Sequence, residues 1–208
     1  MGAELGRSLR AIAALAVFVA VALQFRSSVL QNGFPALSFF SFFTIQSNLF
    51  AAVLWAWLCM RPQPPLTRWR GAATLYLAAT GLVYGALLAG YQAELQTTIP
   101  WVDLVLHRLL PLYAVLDWLL QPPRPAPAWR DAAAWLVFPA LYLVYSLWRG
   151  ATIGWYPYPF LDPAHAGGYA AVAAYAAGIA VAMLILALLV IALARRGRAV
   201  GPVGEERG

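Results

Sequence analysis

Lysine is absent from this 208-residue chain, and all fourteen of its basic residues are arginine. Charge of either sign is scarce. Charged residues make up 11% of the sequence, against about 25% in an ordinary soluble domain, which excludes a conventional water-soluble globule. A single cysteine, Cys59, excludes an internal disulfide and reads as a small buried apolar side chain. Two histidines and one cysteine are too few for a typical zinc site, so neither a metal nor any other cofactor is expected. There is no Gly-x-Ser-x-Gly elbow and no phosphate-cradling glycine loop. No internal repeat is visible, which weighs against a carrier built from inverted halves.

What the chain has instead is hydrophobic length. Apolar residues account for 62% of it, and a bilayer core needs about 20 such residues per helix. Six stretches meet or approach that length: 9–25, 37–60, 72–90, 101–120, 132–148 and 169–194. The expected fold is therefore all-α, a polytopic integral membrane protein with one six-helix domain over 1–194. A charged, glycine-rich tail over 195–208 is expected to be disordered.

Alternating the six spans sorts the arginines by side. Arg7, Arg10, Arg61, Arg68, Arg70, Arg124, Arg130, Arg195, Arg196, Arg198 and Arg207 fall together, Arg26 and Arg149 fall opposite, and Arg108 lies within a span. Positive loops stay cytoplasmic, so both termini are expected inside. The formal charge of +6 is then accounted for by topology, and nucleic-acid binding has no support. The Lys-free, Ala/Gly/Pro/Arg-rich composition suggests a GC-rich bacterial genome and an inner-membrane location. An alternative reading of the first span is a cleaved signal peptide, since Arg7 and Arg10 precede it and Ala20-Val21-Ala22 resembles a cleavage site.

Proline marks the loops. The runs 61–65 and 121–127 end the second and fourth spans, with Trp69 and Trp129 following at expected interfacial positions. The last outer loop, 149–168, contains Trp155, Tyr156, Tyr158 and Phe160 among Pro157, Pro159 and Pro163. It reads either as an interfacial anchor or as a lid over an outward-facing pocket. His165 in this loop is expected to be solvated.

Polar residues inside a span are functional suspects. Thr44 lies seven residues into the second span and His107 six residues into the fourth, both about 10 Å from the outer surface at 1.5 Å per residue. Asp103 is i−4 from His107 and could orient its imidazole; Asn48 is i+4 from Thr44 and could donate to an oxyanion. Pro111 removes the N–H that would bind the His107 carbonyl, so a kink is expected there. Thr80 and Tyr84 could line the same cavity, and Arg108 could snorkel outward or pair with an acid. Asp117 reads as interfacial. A threonine hydroxyl becomes a nucleophile when a base takes its proton. A site open to the outer leaflet would meet lipid esters. The competing reading is structural: Thr44 bonding its own i−4 carbonyl and Asn48 tying helices together. A transport pathway lined by His107 and Arg108 is a third.

Three segments together carry a resemblance: Phe43-Thr44-Ile45-Gln46-Ser47-Asn48-Leu49, then Val102-Asp103-Leu104-Val105-Leu106-His107 with Pro111 and Asp117-Trp118, then 155–163. In that order they resemble the bacterial Pr-six-Pr six-span membrane family, which is related to the eukaryotic androgen-induced membrane proteins. Those relatives are threonine hydrolases of fatty acid esters of hydroxy fatty acids. The resemblance implies Thr44 as nucleophile, His107 as base, and membrane lipids as partners.

Overall fold

The computed structural model describes residues 3–60 and 66–196; the proline run 61–65 and residues 197–208 of the expected tail lie outside the described residues. Every regular element among the described residues is helical. α1 is Ala3–Phe25, α2 Ala36–Phe40, α3 Phe43–Met60, α4 Thr67–Val83, α5 Pro100–Leu104, α6 Leu110–Leu120, α7 Asp131–Ile153, α8 Pro163–Ala166 and α9 Tyr169–Arg196. Five helical stretches are long and apolar enough to cross a membrane: Glu4–Gln31, Phe43–Met60, Thr67–Leu88, Asp131–Ile153 and Tyr169–Arg196. The stretch 100–120 is also helical throughout, but carries Asp103, Arg108 and Asp117.

Several expected boundaries move. The first helix continues past Phe25 as a π-helical turn over Arg26–Gln31. The expected helix over 37–60 is broken at Ser41–Phe42 into α2 and α3. The last helix runs through Arg196, so Arg195 and Arg196 are helical, not part of a tail. The kink expected near Pro111 takes the form of a π-helical turn over Val105–Leu109 between α5 and α6. Proline at the second position of α6 has no N–H to give the His107 carbonyl, and the wider turn absorbs the missing donor.

α4 is the central helix, packed against α3, α6 and α9, while α1 lies along α3. Small residues permit the close approaches. A Cβ on Gly81 of α4 would stand 2.9 Å from Pro111 Cβ and 3.4 Å from the His107 carbonyl oxygen. Gly71 likewise gives its space to the Trp135 ring of α7.

At the arginine-rich end the reading of Asp117 as interfacial is overturned. It is buried, 6% exposed, between Arg10 of α1 at 2.9 Å and Arg70 of α4 at 3.2 Å. Arg70 also donates to the Gln121 carbonyl at 2.8 Å. Three helices thus share one ionic knot that sequence distance hides. Nearby, Arg68 pairs with Asp131, and the Arg195 guanidinium lies over the Trp129 ring.

Candidate functional site

The break at Ser41–Phe42 places Thr44 in the first turn of α3. The break is held by distant hydroxyls: Tyr142 donates to the Ser41 carbonyl at 2.9 Å, and Tyr145 meets the Ser41 hydroxyl at 2.8 Å. The Phe40 carbonyl accepts from the Gln46 amide at 2.8 Å, so the carbonyl four residues before Thr44 is engaged by another side chain. A first-turn position carries the positive end of the helix dipole, and its backbone N–H groups lack intrahelical partners. The Thr44 N–H donates to the Tyr158 hydroxyl at 3.3 Å.

His107 lies in the π-helical turn and is buried. Its Nδ1 donates to the Asp103 carbonyl at 3.3 Å, with Asp103 Oδ1 3.0 Å away but off the N–H direction. Nδ1 therefore faces Asp103, and Nε2 is the nitrogen left for proton transfer. Asp103 Oδ2 accepts from the Tyr84 hydroxyl at 2.6 Å, and Tyr84 accepts in turn from the Gln92 amide at 3.1 Å. The Tyr84 ring stacks on the imidazole at 4.1 Å and 17°. Tyr84 thus holds His107 twice, through the ring face and through Asp103. Arg108 is exposed, its guanidinium 5.9 Å from the centre of the Tyr84 ring.

Two cavities meet at Thr44. The larger, about 260 Å³, is walled by Phe43, Val83, Leu136, Leu143, Ile179 and Met183 among others, with Thr44, Thr80, Tyr142 and Tyr158 as its few polar groups. The smaller, about 10 Å³, is lined by Gln24, Thr44, Thr97, Leu106, His107 and Tyr158 among others. Its volume is about that of one water. Thr44 and His107 therefore line one small space of mixed polar and apolar walls, and Thr44 and Tyr158 line both cavities.

Asn48 is not available as an oxyanion donor. Its amide nitrogen is directed to the Thr44 carbonyl at 2.9 Å and the Leu106 carbonyl at 3.4 Å, tying α3 to the π-helical turn. Ser47 and Thr80 bond each other at 3.1 Å across α3 and α4. These two contacts match the structural reading.

The loop that follows α7 is packed inward. Tyr158 and Leu161 are buried, and Trp155 packs edge-on against Phe34 and Phe42. Tyr156 lies flat on Gly150, occupying the volume a Cβ there would need. Burial pushes the Tyr158 phenol above its ordinary pKa, so it keeps its proton and can donate a hydrogen bond. Among the lid candidates Tyr158 is the one brought to Thr44, which a pattern of aromatics and prolines does not single out. His165 is exposed, 3.3 Å from Asp162 and away from both cavities.

Comparison with protein-family models, curated proteins and solved structures finds no match.

Proposed function

We propose that this chain is an intramembrane hydrolase of lipid esters, built as a six-span bundle with both termini cytoplasmic. The observation that carries the reading is the place of Thr44, at the seam between a large apolar cavity and a small one that His107 also lines. An acyl chain suits the first, and proton transfer suits the second.

In this reading the Thr44 hydroxyl attacks the ester carbonyl carbon while His107 takes its proton. The carbonyl oxygen becomes an oxyanion facing the first turn of α3 and the Tyr158 hydroxyl. The carbon–oxygen bond to the alcohol breaks, and the alcohol leaves with the proton from His107. Water, deprotonated by His107, then attacks acyl-Thr44; the bond from the acyl carbon to the Thr44 oxygen breaks, that oxygen regains the proton from His107, and the free acid leaves. Asp103 and Tyr84 hold the imidazole. The resemblance to the Pr-six-Pr family supports the same assignment. The sixth span is the helical stretch 100–120, whose two acids are met inside the fold: Asp103 by Tyr84 and His107, Asp117 by Arg10 and Arg70. The arginine-rich end, with the Asp117 knot, faces the cytoplasm.

Purified protein in nanodiscs, treated with a fluorophosphonate probe and assayed on a long-chain acyl ester, tests the assignment. Wild type and Thr44→Ser should label and turn over, and Thr44→Ala and His107→Gln should not. Equal labelling of Thr44→Ala removes Thr44 as nucleophile. The second reading, a lipid-binding scaffold, draws on the Asn48 and Ser47 bridges; it predicts that Thr44→Val lowers the melting temperature with no turnover in any variant.

A further inference from the structure

Arg149 sits near the end of α7 opposite the Asp117 knot and is 8% exposed. No carboxylate lies within 4 Å of it among the described residues. The acids at its end of the molecule are engaged elsewhere or exposed. Asp103 is held by Tyr84 and His107, Asp162 caps Ala164 and faces His165, and Glu94 is exposed. One guanidinium nitrogen, Nη2, donates to the Ser38 hydroxyl at 3.0 Å, and the group lies 4.8 Å from the centre of the Trp155 ring. The other, Nη1, is buried with no hydrogen-bond partner. One turn earlier on the same helix, the Ser146 hydroxyl is also buried, beside the Tyr142 hydroxyl.

A buried cation with no counter-charge is costly, and an orphaned charged donor adds to the cost. A neutral serine and an aromatic face offset only part of it. The contrast with the other end is direct: there, Arg10 and Arg70 share Asp117. Arg149 is therefore left, among the described residues, without a counter-charge. The apolar cavity begins one to two turns away on the same helix, at Leu143 and Tyr142. Six or seven residues of helix separate these from Arg149, about 10 Å at 1.5 Å per residue.

We propose that Arg149, with Ser38 and Trp155, is the head-group site for an anionic single-chain amphiphile whose hydrocarbon tail occupies the cavity. The anion accepts from Nη1, and Ser146 supplies a second donor. Trp155, half-buried against Phe34 and Phe42, covers the guanidinium and must shift to admit the head group. The proposal deepens the hydrolase reading by requiring a charged head on the lipid. Binding is read without turnover, so failure of one idea does not entail failure of the other.

The test uses the full chain carrying Thr44→Ala in nanodiscs of zwitterionic lipid, with radiolabelled oleate and oleyl alcohol as probes. Oleate should bind about tenfold or more tightly than the alcohol, as one added charge-assisted hydrogen bond implies. Arg149→Gln should abolish that preference while leaving oleyl alcohol binding unchanged, and Arg149→Lys should keep part of it. Acetate and inorganic phosphate at equal concentration should not displace oleate. Equal affinity of the Thr44→Ala protein for oleate and oleyl alcohol overturns the proposal, even if Arg149→Gln does not fold. So does a preference that survives in Arg149→Gln, or displacement by acetate or phosphate, which would mark a small-anion site instead.

Discussion

Asp117→Asn should bring the protein close to the limit of its stability. The side chain is nearly isosteric, so packing is kept and only charge is removed. The change leaves Arg10 and Arg70, whose side chains are 10% and 13% exposed, without the one carboxylate that either touches among the described residues. Removing one partner of a buried ion pair costs about 3–5 kcal/mol. Here one substitution orphans two cations that also repel each other, so the upper part of that range applies. Against a total stability of about 5–15 kcal/mol, the loss is a large fraction. Arg70 already carries an unpartnered buried Nε. Its remaining hydrogen bond, to the Gln121 carbonyl, supplies no charge.

Helix content followed by circular dichroism against mole fraction of denaturing detergent in mixed micelles measures the effect. Asp117→Asn/Arg70→Met should lose less than the sum of the two single variants, because the second change removes a cation the first has orphaned. An Asp117→Asn protein within about 1 kcal/mol of wild type would refute the reasoning. That value is typical of exposed pairs, and would mean that water or head groups reach the knot.

Further expectations concern the site and its roof. Tyr84→Phe removes the 2.6 Å bond to Asp103 but keeps the ring stacked on His107; ester turnover should fall about tenfold, the cost of one charge-assisted bond, with helix content intact, and equal turnover would remove that bond from the machinery. Gly81→Ala forces a Cβ to 2.9 Å from Pro111; overpacking of this kind costs about 1–3 kcal/mol, which a thermal melt in detergent should show and an unchanged melt would contradict. Gly150→Ala places a Cβ 2.0–2.4 Å from atoms of the Tyr156 ring; limited proteolysis should then cut 154–162 faster than in wild type, and an equal rate of cutting would contradict it.

The apolar stretches were legible because a bilayer imposes a length that few soluble helices share. Thr44 and His107 were legible because polar groups are rare in such stretches, and the structure lines one small cavity with both. The break before Thr44 was not. Ser41-Phe42 contains neither proline nor glycine, and the interruption is held by Tyr142 and Tyr145, about a hundred residues later. Tyr158 was hidden for a related reason. Its contact with Thr44 depends on how the loop folds back between Leu161 and Trp155, which aromatic content alone does not fix. Asn48 misled because i, i+4 spacing places two residues on one face without saying which carbonyls its amide will find. Nearness to a span end does not reveal the burial of Asp117, because three helices distant in sequence close over it.

The irregular turns share a location that regular helices could not serve. π-helical turns at Arg26–Gln31, Tyr84–Leu88 and Val105–Leu109 carry Ser28, Tyr84 and His107, while α3 begins afresh at Thr44. An uninterrupted α-helix commits every interior N–H and carbonyl to its own ladder and leaves nothing to address a substrate. A widened turn or a new N-terminus releases backbone groups and re-aims side chains. In hydrocarbon such release is tolerated only where protein groups satisfy what is freed. Here Gln24 and Ser28 cover the Gln96 carbonyl, Asn48 covers those of Thr44 and Leu106, and Tyr158 meets the Thr44 N–H. The polar side chains around Thr44 and His107 are thus the condition under which non-helical backbone can exist at that depth. Replacing Gln24 with leucine should therefore lower stability as well as activity, although it contacts neither Thr44 nor His107 by hydrogen bond. A Gln24→Leu protein that melts like wild type would separate the backbone irregularity from the polar lining, and with it remove one reason for placing the proposed reaction there.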